Sequence, residues 1–166
     1  MPFAARFTSA TAVCALAAGL LATAHAPAEA AAPAPPRAAE TLVVGGTSFP
    51  SVSAATMASF ANTFSANLVN VPYPAQLSPF AEPMSLGQSV AVGAATLVQM
   101  IETSLATTGS LVVWGISQGA LVINAAAKVL AAEPNRPDPA ALTRVRVADP
   151  ATPSIGMLNF LPEVVM

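Results

Sequence analysis

The sequence predicts an α/β domain, with a mostly parallel central sheet and helices on its faces. Two short runs, Thr41 to Gly45 (TLVVG) and Ser110 to Trp114 (SLVVW), are apolar without the alternation of a half-exposed strand. Such runs suit parallel strands covered on both sides. Between and after them lie longer segments with apolar residues three and four apart, the spacing of a helix face. Strands alternating with helices call for crossover connections that lay the helices on the sheet.

In chain order, Thr41 to Gly45 is the first strand, ending in Gly45-Gly46 and a loop through Thr47, Ser48, Phe49 and Pro50. Met57, Phe60, Phe64 and Leu68 predict a helix from Ala54 to Leu68. Leu68 to Val71 is a second strand, closed by Pro72-Tyr73-Pro74, where two prolines end regular structure. Leu86, Val90, Ala94, Leu97, Val98, Ile101 and Leu105 form one stripe, predicting a helix over Ser85 to Ala106 with Ser85 as its cap. Thr107-Thr108-Gly109 stops it, and SLVVW follows. Gln118 to Ala132 is again helical, and Arg144 to Ala148 is a last strand ended by Asp149-Pro150. Ile155 to Met166 is apolar without a clear period.

A chain of 166 residues and 16.6 kDa has room for one domain. With 54 % hydrophobic and 8 % charged residues it is too apolar to remain disordered. The formal net charge of -2 argues against nucleic acid as a partner, because that affinity needs clustered Lys and Arg. Residues 1–30 have the layout of a secretory signal: Arg6, an apolar run from Ala10 to Ala22, then small residues, with cleavage expected after Ala30. The apolar run is shorter than the roughly 20 residues of a membrane span. Residues 31–40 read as an Ala/Pro-rich linker and 41–166 as the domain. The expected location is secreted or in the cell envelope. Cys14, the only cysteine, lies within the leader, so the mature domain would be free of disulfides.

Gly115-Ile116-Ser117-Gln118-Gly119 is a GxSxG motif between a buried-type strand and an Ala-rich helix. That context is what a nucleophile elbow requires, a strand-to-helix turn that projects the serine hydroxyl from the top of a sheet. The flanking glycines let strand and helix approach closely; the plainer reading is a tight turn. In an elbow, Ser117 is the nucleophile and the Gln118 N–H supplies half of an oxyanion hole, helped by the helix dipole. Thr47 or Ser48, in the loop after the first strand, is the candidate for the other half, unless Gly45-Gly46-Thr47 only turns the chain.

The run Val112-Val113-Trp114-Gly115-Ile116-Ser117-Gln118-Gly119-Ala120 resembles the nucleophile motif of cutinases and of the PE-PPE domain of actinobacterial cell-envelope proteins. Gly45-Gly46-Thr47 with Pro50, Val71-Pro72-Tyr73-Pro74-Ala75, and Asp149-Pro150 favour the PE-PPE domain. The resemblance extends from about Thr41 to Pro150 and implies a three-layer α/β-hydrolase-like domain, incomplete at the C-terminus, acting on acyl esters or lipids. It maps Ser117 onto the family's nucleophile. The family's acid and histidine lie further toward the C-terminus and map onto nothing here. Asp149 either holds the strand end in place or serves as the acid, as in some α/β-hydrolases.

A serine hydroxyl needs an adjacent base. His25, the only histidine, falls in the predicted leader. Lys128 lies eleven residues beyond Ser117, about 16 Å along a helix, too far to serve. Glu102, Glu133, Asp138 and Glu163 read as solvated charges. The expectation is therefore a secreted serine esterase or lipase relative acting on a lipid or small acyl ester. The alternatives are a non-catalytic lipid- or envelope-binding module, a fragment of a longer active hydrolase, and an unrelated α/β domain with a coincidental glycine-flanked serine. No cofactor or metal is implied, since no cluster of His, Cys or carboxylate ligands stands out. An unpaired sheet edge could bring copies together as a homo-oligomer.

Overall fold

The computed structural model describes residues 38–80 and 83–160. They fall in the second of the two units into which the chain divides, Ala34–Met166. The predicted leader with Cys14 and His25, most of the linker, and the end of the apolar C-terminal run lie outside the described residues.

Strand β1 (Glu40–Val44) is followed by helix α1 (Ala54–Ala61), strand β2 (Leu68–Asn70), helix α2 (Leu86–Thr108), strand β3 (Leu111–Ile116), helix α3 (Gln118–Ala132) and strand β4 (Leu142–Val147). The strands form one sheet in the order β2-β1-β3-β4, with every pairing parallel. This is the predicted α/β class with a parallel sheet.

Two separate cores explain the layering. Side chains alternate across a strand, so Leu42 and Val44 of β1, with Leu111 and Val113 of β3, pack against Leu97, Ile101, Val122 and Ala126 from α2 and α3. Val43 and Trp114 point the other way, onto Met57 and Ala61 of α1. Three layers result: α2 and α3, the sheet, and α1. Phe60 stacks on Trp114 with centroids 4.8 Å apart while staying 40 % exposed.

The α1 helix is shorter than its periodicity predicts. It ends at Ala61, and the chain turns through Phe64 N–H to Ala61 O (3.1 Å) and Asn67 N–H to Ser65 Oγ (2.9 Å). Phe64 and Leu68 still pack on the Trp114 core, so the spacing recorded a shared destination and not a continuous helix. Strand β4 begins at Leu142, two residues before the predicted Arg144, and pairs along its length with β3.

From β1 the chain steps to β2 on one side and, after α2, to β3 and β4 on the other. Where strand order diverges in this way, the loops leaving adjacent strands part and open a crevice at the carboxyl end of the sheet. The loops after β1 and β3 carry Thr47 and Ser117.

Candidate active site

Ser117 joins β3 to α3 with φ 54° and ψ -119°, a conformation that side-chain-bearing residues avoid. The surroundings hold it there: its N–H donates to Val147 O at 2.9 Å, and its carbonyl accepts from Ala120 N–H at 2.9 Å. The glycines answer to close approach. A Cβ at Gly119 would stand 2.4 Å from Val44 O, and one at Gly115 would stand 2.7 Å from Ile123 Cδ1 and 2.8 Å from Gly119 O. Side chains at either position would push α3 off the sheet and Ser117 out of its turn. Ser117 makes no side-chain capping bond to α3.

Gln118 opens α3, so its N–H is among the first-turn donors that a helix cannot satisfy itself. Its side chain is 1 % exposed and braces the crevice: Nε2 donates to Gln76 O at 3.0 Å, and Oε1 accepts from Thr47 Oγ1 at 3.0 Å. The loop after β1 is also tied to the segment after β2. Ser48 N–H donates to Ala75 O at 2.8 Å, and the buried Tyr73 hydroxyl donates to Gly45 O at 2.7 Å. Burial pushes the Tyr73 phenol well above its ordinary pKa. Ser48 is exposed, with φ 65° and its N–H spent on Ala75. Thr47 instead lines the same hollow as Ser117 and Gln118.

That hollow has a volume of about 460 Å³ and mostly apolar walls, including Leu86, Leu121 and Phe80. Asp149 does not line it. Its Oδ2 accepts from Asn124 Nδ2 at 2.9 Å and lies 3.4 Å from Arg146 Nη1, while Oδ1 accepts from Ala151 N–H at 2.9 Å. The carboxylate is thus engaged in holding the end of β4 to α3 and the chain beyond. Asp149 lines an adjoining hollow of about 530 Å³, which shares Leu86, Leu121 and Leu158 with the first. No histidine occurs among the described residues.

The profile of the PE-PPE domain matches residues 64–166, from before β2 through the elbow to the last residue. The chain belongs to the PE-PPE domain family. Among solved structures, this PE-PPE domain is similar to lysin B from Mycobacteriophage D29, with a TM-score of 0.53, 22 % identity, and coverage of 66 % of this chain and 45 % of lysin B. It thus spans less than half the length of that protein. An acetyl xylan esterase structure matches at a TM-score of 0.44 and 16 % identity, over 69 % of this chain and 65 % of the esterase. No curated protein matches by sequence. The α/β-hydrolase fold is shared with lysin B.

Within the PE-PPE domain, sequence reasoning missed the Gln118 side chain, having considered only its backbone N–H, and missed Gln76 altogether. A polar side chain directly after Ser117, at the start of a helix otherwise rich in small and aliphatic residues, was the signal for Gln118. Gln76 contributes through its carbonyl to Gln118 and through its N–H, which donates to buried Ser89 Oγ at 3.0 Å. Backbone contacts of that kind leave no mark on residue type.

Proposed function

We propose that the PE-PPE domain binds acyl esters or lipids in the crevice between the β1 and β3 loops, with Ser117 as the nucleophile. The observation that carries this reading is the strained Ser117 backbone, fixed by the steric demands at Gly115 and Gly119 and opening on an apolar hollow. Strain of this kind costs about 1–3 kcal/mol and persists where the surroundings over-determine it, often at functional sites.

In this reading, Ser117 Oγ attacks the ester carbonyl as its proton passes to a base, and the carbonyl oxygen becomes an oxyanion. The Gln118 N–H and the α3 N-terminus favour that charge, with the Thr47 backbone as the second donor. Collapse expels the alkoxide, which leaves as the alcohol after taking the proton, and water then releases the acid from the acyl-serine. The proton acceptor that this step needs is not among the residues lining the hollow.

The binding-only reading draws support from the engagement of Asp149 with Arg146, Asn124 and Ala151. With no histidine among the described residues, the crevice would hold an ester without turning it over. A fluorophosphonate probe separates the two. Labelling of the full chain that disappears in Ser117→Ala supports an activated nucleophile; absence of labelling, with saturable binding of an acyl ester, supports the module. Export through residues 1–30 and residence in the cell envelope belong to the same proposal. N-terminal sequencing of secreted material should read Ala31 first.

A further inference from the structure

The two adjoining hollows suggest more about the ligand, provided that the crevice takes an acyl ester as proposed above. Leu121, Ala125 and Lys128 follow Ser117 at intervals of four, four and three residues, so one face of α3 leads from the hydroxyl to the ammonium. Leu121 lines both hollows, while Ala125 and Lys128 line the second. The opposing wall comes from α2, where Leu86 and Val90 stand one turn apart. The aliphatic side of the groove runs between α3 and α2 as far as Lys128, while Asn124, Arg146 and Asp149, bonded to one another, form a polar wall beside it.

The two cations differ in their commitments. Arg146 is bonded to Asn124 Oδ1 at 2.5 Å and paired with Asp149 at 3.4 Å. Lys128, the only lysine in the chain, has no ion pair among the described residues. With Asp149 offsetting Arg146, one positive charge is left over in this hollow. An acyl chain lying along Leu121 and Ala125 brings its end to that ammonium. Lys128 is exposed and its ammonium keeps its water, so a methyl end gains nothing from it, whereas an anionic end gains an attraction that salt screens.

We propose that the preferred ligand is an acyl ester bearing an anionic group, carboxylate or phosphate, at the far end of its chain, bound by Lys128. The rise of α3 from Ser117 to Lys128 is about 16 Å, and the lysine side chain leans back toward the helix N-terminus. A chain of roughly eight to twelve carbons, with bonds of about 1.5 Å, spans what remains.

The test uses the full chain carrying Ser117→Ala, so that binding is read without turnover. Monomethyl sebacate and methyl decanoate, which differ in the terminal carboxylate, are titrated calorimetrically. The carboxylate-ended ester should bind about fivefold more tightly at low salt, the advantage shrinking as ionic strength rises. Lys128→Met should bring the ratio of the two affinities near one, and Lys128→Arg should restore it. Equal affinities in the Ser117→Ala chain, or a preference that survives Lys128→Met, would overturn the proposal. Fluorophosphonate labelling of the unsubstituted chain is read in parallel. Labelling without a carboxylate preference removes this inference and leaves the hydrolase reading standing. A preference without labelling supports the Lys128 site and removes the hydrolase reading.

Discussion

Ser117 occupies a backbone conformation that its own side chain disfavours, and the residue that makes this tolerable is Gly119. With Val44 O only 2.4 Å from where a Cβ would stand, Gly119→Ala has no flexible side chain to displace, only strand backbone. We expect it to destabilise the domain by about 3 kcal/mol, read as a lower midpoint in urea denaturation. A midpoint within error of the parent would mean that α3 is free to move. Tyr73 leads to a second expectation. Its folded-state pKa is raised by burial, so above about pH 10 the unfolded chain loses the phenolic proton first and holds fewer protons than the native one. The stability contributed by the neutral phenol is complete below that pH and is lost as pH rises toward the folded value. Tyr73→Phe should flatten the alkaline limb of a stability–pH profile, at a cost of about 1 kcal/mol near neutrality for the lost bond to Gly45 O. An unchanged alkaline limb would show that Tyr73 is not the group responsible.

The elements differ in how fully they declare themselves. Helix α2 opens with a capping box: Ser85 Oγ accepts from Gln88 N–H at 3.2 Å, and Gln88 Oε1 accepts from Ser85 N–H at 3.1 Å. Ser85→Ala should therefore cost about 1 kcal/mol, measured by thermal or urea unfolding, whereas Ser85→Asp should cost much less. Equal losses for the two would show that the cap bond contributes little. Helix α2 was legible because one stripe runs its whole length, and α3 because the elbow marks its start and Glu133-Pro134 its end. Helix α1 was misjudged in length because Phe64 keeps the helical interval after the helix has ended. Both helix and turn deliver their aromatic to the Trp114 core, and an interval cannot tell them apart.

For the whole molecule, β2 and β4 are the edges of the sheet among the described residues. The side chains of β4 are largely exposed, and two of them are arginines, Arg144 and Arg146. An open backbone edge favours pairing with another chain, while charge on the edge opposes it. We therefore predict association of copies along β4 that strengthens as salt screens the arginines, measured as a rising mass in light scattering. A monomer mass at every ionic strength would refute it.

The sequence by itself determined the fold class, the order of the strands and helices along the chain, and the glycine-flanked strand-to-helix turn at Ser117. Each of these rests on local patterns: apolar runs, helical intervals, and glycines two residues either side of Ser117. Tertiary structure decided what those patterns leave open. It placed β1 between β2 and β3, and so set Thr47 beside Ser117, because strand order depends on contacts between residues far apart in the chain. It also separated Thr47 from Ser48, two adjacent polar residues equivalent on paper, by turning one into the crevice and committing the other's N–H to Ala75. Asp149, a lone carboxylate at a strand end in the sequence, is brought by the fold within bonding distance of Arg146, Asn124 and Ala151. A residue's chemistry is written in its side chain, but its commitments depend on which groups the fold brings within about 3 Å.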